Sequence, residues 1–147
     1  MKQLLKLAFA AALGIALLSA CKPVLSPSQV AEEDYYAKIS LTVEVVTKID
    51  GDDVPIAKCP IKITRGDGNS YEFKCNSSGK FTHVFPVSKP ASKDATLGDT
   101  FTITVDYESD NDLIGHQKGS ETKAVAIVKG EKFAEASVTV TCTKQSE

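Results

Sequence analysis

The stretch YAKISLTVEV, residues 36–45, decides the fold. Ala37, Ile39, Leu41, Val43 and Val45 alternate with Lys38, Ser40, Thr42 and Glu44, and in a strand successive side chains point to opposite faces. The spacing therefore predicts a strand with one buried face and one wet face. The same alternation returns in CPIKIT (59–64), in YEFKC (71–75) and in FTITVDY (101–107), with Phe101, Ile103, Val105 and Tyr107 on one side. It returns again near the end, where Ala136, Val138, Val140 and Cys142 share a face. GKFTHVF (79–85) and KAVAIV (123–128) are less regular and complete a set of about seven strands. No stretch after residue 20 has helical spacing. One flat sheet would leave these apolar stripes uncovered, so the expectation is a single all-β domain over residues 36–147, an antiparallel β-sandwich.

Between two of these strands lies TRGDGNS (64–70), dense in turn residues, which predicts a hairpin centred near Asp67. That centre sets Ile63 opposite Tyr71, Ile61 opposite Phe73 and Cys59 opposite Cys75, all on one apolar face. Cys142 lies on the apolar face of the last strand and competes as a partner for either cysteine. Three arrangements follow: a Cys59–Cys75 disulfide, a bridge to Cys142, or three free thiols. A bridge closing a loop of roughly 15 residues adds about 3 kcal/mol by the loop-entropy relation. In each case the cysteines are structural. The same turn contains Arg65, Gly66 and Asp67, the tripeptide that integrins read, although its glycines and Asp67 are already accounted for by hairpin chemistry.

The chain begins MKQLLKL, with Lys2 and Lys6 ahead of an apolar run at 7–18 that only Gly14 interrupts. A positive end, a short apolar middle and small residues before a cut describe a secretory signal. Twelve residues make a helix of about 18 Å, short of the roughly 30 Å of bilayer hydrocarbon, so the run is not a membrane-spanning anchor. Leu18, Ser19, Ala20 and Cys21 resemble the bacterial lipoprotein lipobox, in which cleavage precedes a cysteine that takes a diacylglycerol. The resemblance implies a signal peptide at 1–20, acylation of Cys21 and stable attachment through two or three chains. Residues 21–35 then read as the lipidated cysteine and a flexible tether, mixing Pro, Ser and acids without periodicity. Lys22 stands where an inner-membrane retention signal has Asp, which points to the outer membrane of a bacterial cell envelope.

The full chain has 17 basic and 19 acidic residues. Loss of residues 1–20 removes Lys2 and Lys6 and no acid, which leaves a net charge of −4 on the mature chain. A mildly acidic surface argues against nucleic acid as a partner.

GDDVPIAKCPIKI (51–63), NSSGKF (76–81) and GDTFTITV (98–105) together resemble the carboxypeptidase regulatory-like domain of bacterial secreted and lipid-anchored proteins. In that family a proline after a turn leads into an alternating strand, a Gly followed by an aromatic opens a hairpin arm, and a Gly-x-x-aromatic run starts a later strand. Pro55 with Ile61 and Ile63, Gly79 with Phe81, and Gly98 with Phe101, Ile103 and Val105 occupy those places. Lys58 and Cys59 depart from the small residues usual there, and the loop at 86–97 is longer. The resemblance implies a prealbumin-like sandwich, within the wider immunoglobulin-like class, and a non-catalytic role with no functional residue carried over.

Candidate sites of chemistry are few. His83 falls among Phe81, Val84 and Phe85 on a strand and reads as a structural histidine, and His116 sits in the polar stretch IGHQKG and reads as solvated. Neither belongs to a nucleophile–base motif, so the chain does not read as an enzyme, and no cofactor is expected. DYESDND (106–112) sets Asp106, Glu108, Asp110 and Asp112 at alternate positions, which offers oxygens to a hard cation such as calcium. It lacks the glycine and distal glutamate of an EF-hand loop, and solvated surface is the plainer account. Tyr35, Tyr36 and Tyr107 are the aromatics left to stack on a sugar ring. The expectation is a lipid-anchored envelope protein that binds or assembles, held to the membrane through acylated Cys21, with an envelope protein or a surface glycan as partner. An adhesin or pilus-associated subunit, and a small hydrolase or enzyme inhibitor, are the alternatives.

Overall fold

The computed structural model describes residues 24–25, 36–88 and 96–146. The expected signal peptide, Cys21 and residues 26–35 of the expected tether lie outside the described residues. Every regular element among the described residues is a strand, and none is a helix. In chain order these are β1 (Val24–Leu25), β2 (Ala37–Ile49), β3 (Asp52–Pro55), β4 (Pro60–Arg65), β5 (Ser70–Lys74), β6 (Lys80–Val87), β7 (Gly98–Glu108), β8 (His116–Ala126) and β9 (Phe133–Lys144).

The alternation in residues 36–45 becomes β2, whose odd-numbered residues from Ala37 to Val45 are buried while the even-numbered ones stay partly exposed. β2 is the centre of one half of the molecule. β6 runs antiparallel along its first part and β3 along its last, while β9 lies on the opposite side. The change from β6 to β3 happens at Val45, whose N–H donates to Gly79 O and whose carbonyl accepts from Ile56 N–H. Gly79 has φ +71°, and a Cβ there would stand 2.9 Å from Val45 O, so the junction requires glycine. β2 and β3 are joined by Asp50-Gly51, both at positive φ, the two-residue turn that suits a twisted hairpin.

The other half runs β1, β5, β4, β7, β8. The hairpin centred near Asp67 has the expected register, Ile63 opposite Tyr71 and Ile61 opposite Phe73. The halves join where Lys144 and Thr143 of β9 pair with Gln117 and Lys118 of β8. The result is one mixed sheet that curls on itself, with a single apolar cluster on its inner face. Ile39, Leu41 and Val43 of β2 meet Ile61 and Ile63 of β4, Phe85 of β6, Phe101 and Ile103 of β7 and Val140 of β9.

Four expectations are corrected. The sheet is mixed, because β2 and β9 run parallel over ten paired positions and β1 is parallel to β5. Nine strands replace seven, since β1 and β3 are too short to carry an alternation signal. The strand expected at 123–128 begins at His116, so the last four residues of IGHQKG are strand. Val24 and Leu25, read as tether, form β1 on the edge of β5.

Candidate functional site

β7 and β8 pair antiparallel in a register that sets Asp106 beside Lys118 and Glu108 beside His116. All four side chains leave the outer face. His116 Nε2 lies 2.5 Å from Asp106 Oδ1, its Nδ1 lies 3.7 Å from Glu108 Oε2, and Lys118 Nζ lies 3.7 Å from Asp106 Oδ2. The hydrogen bond from His116 holds the Asp106 carboxyl below its ordinary value, with the charge of Lys118 assisting. Two open depressions flank this group. One, of about 670 Å³, is lined by Lys62, Glu72, Lys74, Thr104 and Asp106 among others, and the second, of about 730 Å³, includes Glu108, Asp112, His116 and Lys144.

Chemically this is a face of interleaved opposite charges. Carboxylates face both nitrogens of His116, at 2.5 Å and 3.7 Å. The four alternate acids of residues 106–112 separate: Asp106 and Glu108 stay on β7, while Asp110 and Asp112 enter the turn. There Leu113 N–H donates to Asn111 Oδ1 and Lys144 Nζ donates to the Asp112 carbonyl. Among the described residues no group of three or more His, Cys, Asp or Glu is placed to hold a metal ion.

Arg65 turns inward from its hairpin. Its Nε donates to Asp99 Oδ2 at 2.6 Å, its Nη2 donates to Pro86 O at 2.6 Å, and its guanidinium carbon lies 5.4 Å and 5.9 Å from the centroids of Phe85 and Phe101. With that side chain only 10% exposed, the guanidinium is not presented to an outside receptor. Gly66 N–H donates to Asp99 Oδ1, and the Asp67 carboxylate accepts from the Asn69 backbone and side chain. The three residues of the adhesive motif are thus joined to the fold. Asp99, 34 residues away, is the partner that sequence spacing did not reveal.

Cys59, Cys75 and Cys142 are buried free thiols, the third of the three arrangements the sequence left open. Cys75 N–H donates to Cys59 O at 2.8 Å, so the two residues do face each other, but the Cys59 thiol points to the Pro60 carbonyl at 3.4 Å. Burial pushes the Cys59 thiol up to about 12, with the other two cysteines contributing, and pushes Cys75 and Cys142 each to about 11. Such thiols are poor nucleophiles. His83 packs with Phe73 and Phe85, ring centroids 5.0 Å and 4.9 Å away, as expected for a structural histidine.

A further feature of the fold was not legible in any motif. Among the described residues β6 pairs only with β2, and positions 119–126 of β8 pair only with β7. Both present backbone groups along a sheet edge. β6 carries Pro86, a residue that belongs on an edge because it has no N–H to give.

No family model matches this chain, and no curated protein matches it. Among solved structures, the chain is similar to 3-chlorocatechol 1,2-dioxygenase from Rhodococcus opacus 1CP at 14% identity and a TM-score of 0.45, over 85% of this chain and 68% of that one.

Proposed function

We propose that this chain is a lipid-anchored protein of the bacterial cell envelope, an immunoglobulin- or prealbumin-type sandwich that works by binding or assembly and not by catalysis. Acylated Cys21 concentrates the domain at a membrane, the outer one in a two-membrane envelope, and its sheet edges meet a protein partner. The observation that carries this reading is the pair of edges. β6 and the second half of β8 each offer a row of backbone donors and acceptors, and a strand added by a partner at either edge satisfies that edge's row. The charge-interleaved face beside His116 supports it, since charges arranged this way govern the choice of partner and the rate of encounter.

A photoreactive side chain at Val84, which is exposed on β6, tests the edge in intact cells, with one at Leu113, exposed on the β7–β8 turn, as control. A protein adduct from position 84 and none from position 113 is the expected result. Equal yields from both, or none from either, would discard the edge as the docking site.

A further inference from the structure

The two ends of the molecule differ in chemistry, and β1 marks one of them. β1 runs parallel to β5 with Val24 beside Ser70 and Leu25 beside Tyr71. Traced backwards, β1 heads toward the 66–69 turn. Only three residue steps separate Val24 from Cys21, and they carry it no farther than about 10 Å. The opposite end, at the β7–β8 turn, lies more than twice as far away, because seven residues of β7 separate Phe101, beside Arg65, from Glu108, and seven extended residues cover about 24 Å.

The end near Cys21 also gathers the starts of β2, β7 and β9 and the ends of β6 and β8. Five large apolar side chains are exposed among the described residues, and three of them lie here: Tyr36 at 41%, Val128 at 72% and Phe133 at 48%. Lys132 places its ammonium 5.3 Å from the centre of the Tyr36 ring, and Lys129 stands in the same 127–132 turn. Aromatic and aliphatic side chains interleaved with lysine are suited to a lipid–water interface, with rings at headgroup level and ammonium groups reaching phosphates.

We infer that the end bearing Tyr36, Val128, Lys129, Lys132 and Phe133 rests on the lipid surface, so that the domain stands upright on its anchor with the β7–β8 turn and the His116 group pointing away. The inference rests on the anchor reading given above. It replaces a loose tether with a seat: β1 holds the anchor short, and the apolar tip fixes the orientation. The partner then approaches from the side, along the β6 edge.

The test uses the full chain in its host membrane. A membrane-impermeant lysine acylating reagent is applied to isolated membranes and, in parallel, to detergent-solubilised protein, and labelling is read peptide by peptide. Lys129 and Lys132 are expected to label about tenfold more slowly on membranes than in detergent, as interfacial burial predicts, while Lys118 and Lys144 label equally in both. Val128→Asp with Phe133→Asp, both at exposed positions, is expected to abolish the difference without unfolding the domain. The mass of the N-terminal peptide is read in the same experiment. An acylated Cys21 with Lys129 as reactive on membranes as in detergent would overturn the orientation alone, as would protection that persists in the double variant, which would point to a bound protein. An unmodified N-terminus on soluble protein would overturn the anchor reading and the orientation with it.

Discussion

Arg65–Asp99 and His116–Asp106 are hydrogen-bonded side-chain pairs of nearly equal length, 2.6 Å and 2.5 Å, in opposite surroundings. The first has side chains 10% and 14% exposed and ties the 65–69 hairpin to the start of β7 and the end of β6. The second is 35% and 62% exposed on an outer sheet face. Distance alone would rank them together. Water separates them, because a charge removed from solvent becomes costly once its partner is taken away, whereas an exposed charge is rehydrated. The buried pair therefore belongs to the fold, and the exposed one is free to serve recognition.

The strongest way to break this contrast is Arg65→Ala. It leaves Asp99 with its carboxylate part-buried and Pro86 O without its donor, and the expected loss is about 3 kcal/mol in chemical denaturation. Arg65→Lys keeps the charge but not the fork that reaches Asp99 and Pro86 together, and should lose roughly half as much. A loss from Arg65→Ala no larger than that of a surface substitution would remove the distinction.

Burial also sets a pH dependence. The folded chain holds the Cys59 proton up to about pH 12, while an unperturbed thiol releases it near 9.0. In that window the folded state binds more protons than the unfolded state, so stability is full below pH 9 and falls as pH rises toward 12. Thermal unfolding followed across this range is expected to show the decline, and Cys59→Ala to reduce it. At the exposed pair the sign reverses. Asp106 has a lowered value, so what it adds to stability is present at neutral pH and fades as the solution is acidified through that value.

The smallest expected effect is that of His116→Ala, which should leave the unfolding midpoint within error of the native chain. Molar salt, with a Debye length of about 3 Å, is expected to abolish whatever difference remains while leaving the Arg65→Ala deficit in place. A His116→Ala deficit comparable with that of Arg65→Ala would show that the outer face is structural after all.

Legibility in the sequence follows the range of the interactions. β2 was readable because one buried face writes its alternation into consecutive residues, and the 64–70 turn because its conformation is a local property of Gly, Asp and Asn. Of β8 only the end, within 123–128, was readable, since residues 118–122 are exposed or half-exposed and owe their strand state to hydrogen bonds with β7. The parallel pairing of β2 with β9 joins residues about a hundred positions apart, which periodicity cannot encode. The same holds for Arg65. Its place in a recognisable tripeptide was visible, but its fate depended on Asp99 and on the end of β6. The stretch IGHQKG carries no sign that β7 brings Asp106 and Glu108 to the two nitrogens of His116.

The central claim, attachment through Cys21, is tested most directly by fractionating cells that express the native chain or Cys21→Ser. The native chain is expected in the membrane fraction, released by detergent and not by salt or carbonate, and Cys21→Ser in the soluble fraction. A Cys21→Ser chain that stays with the membranes, or a native chain that salt alone releases, would contradict it.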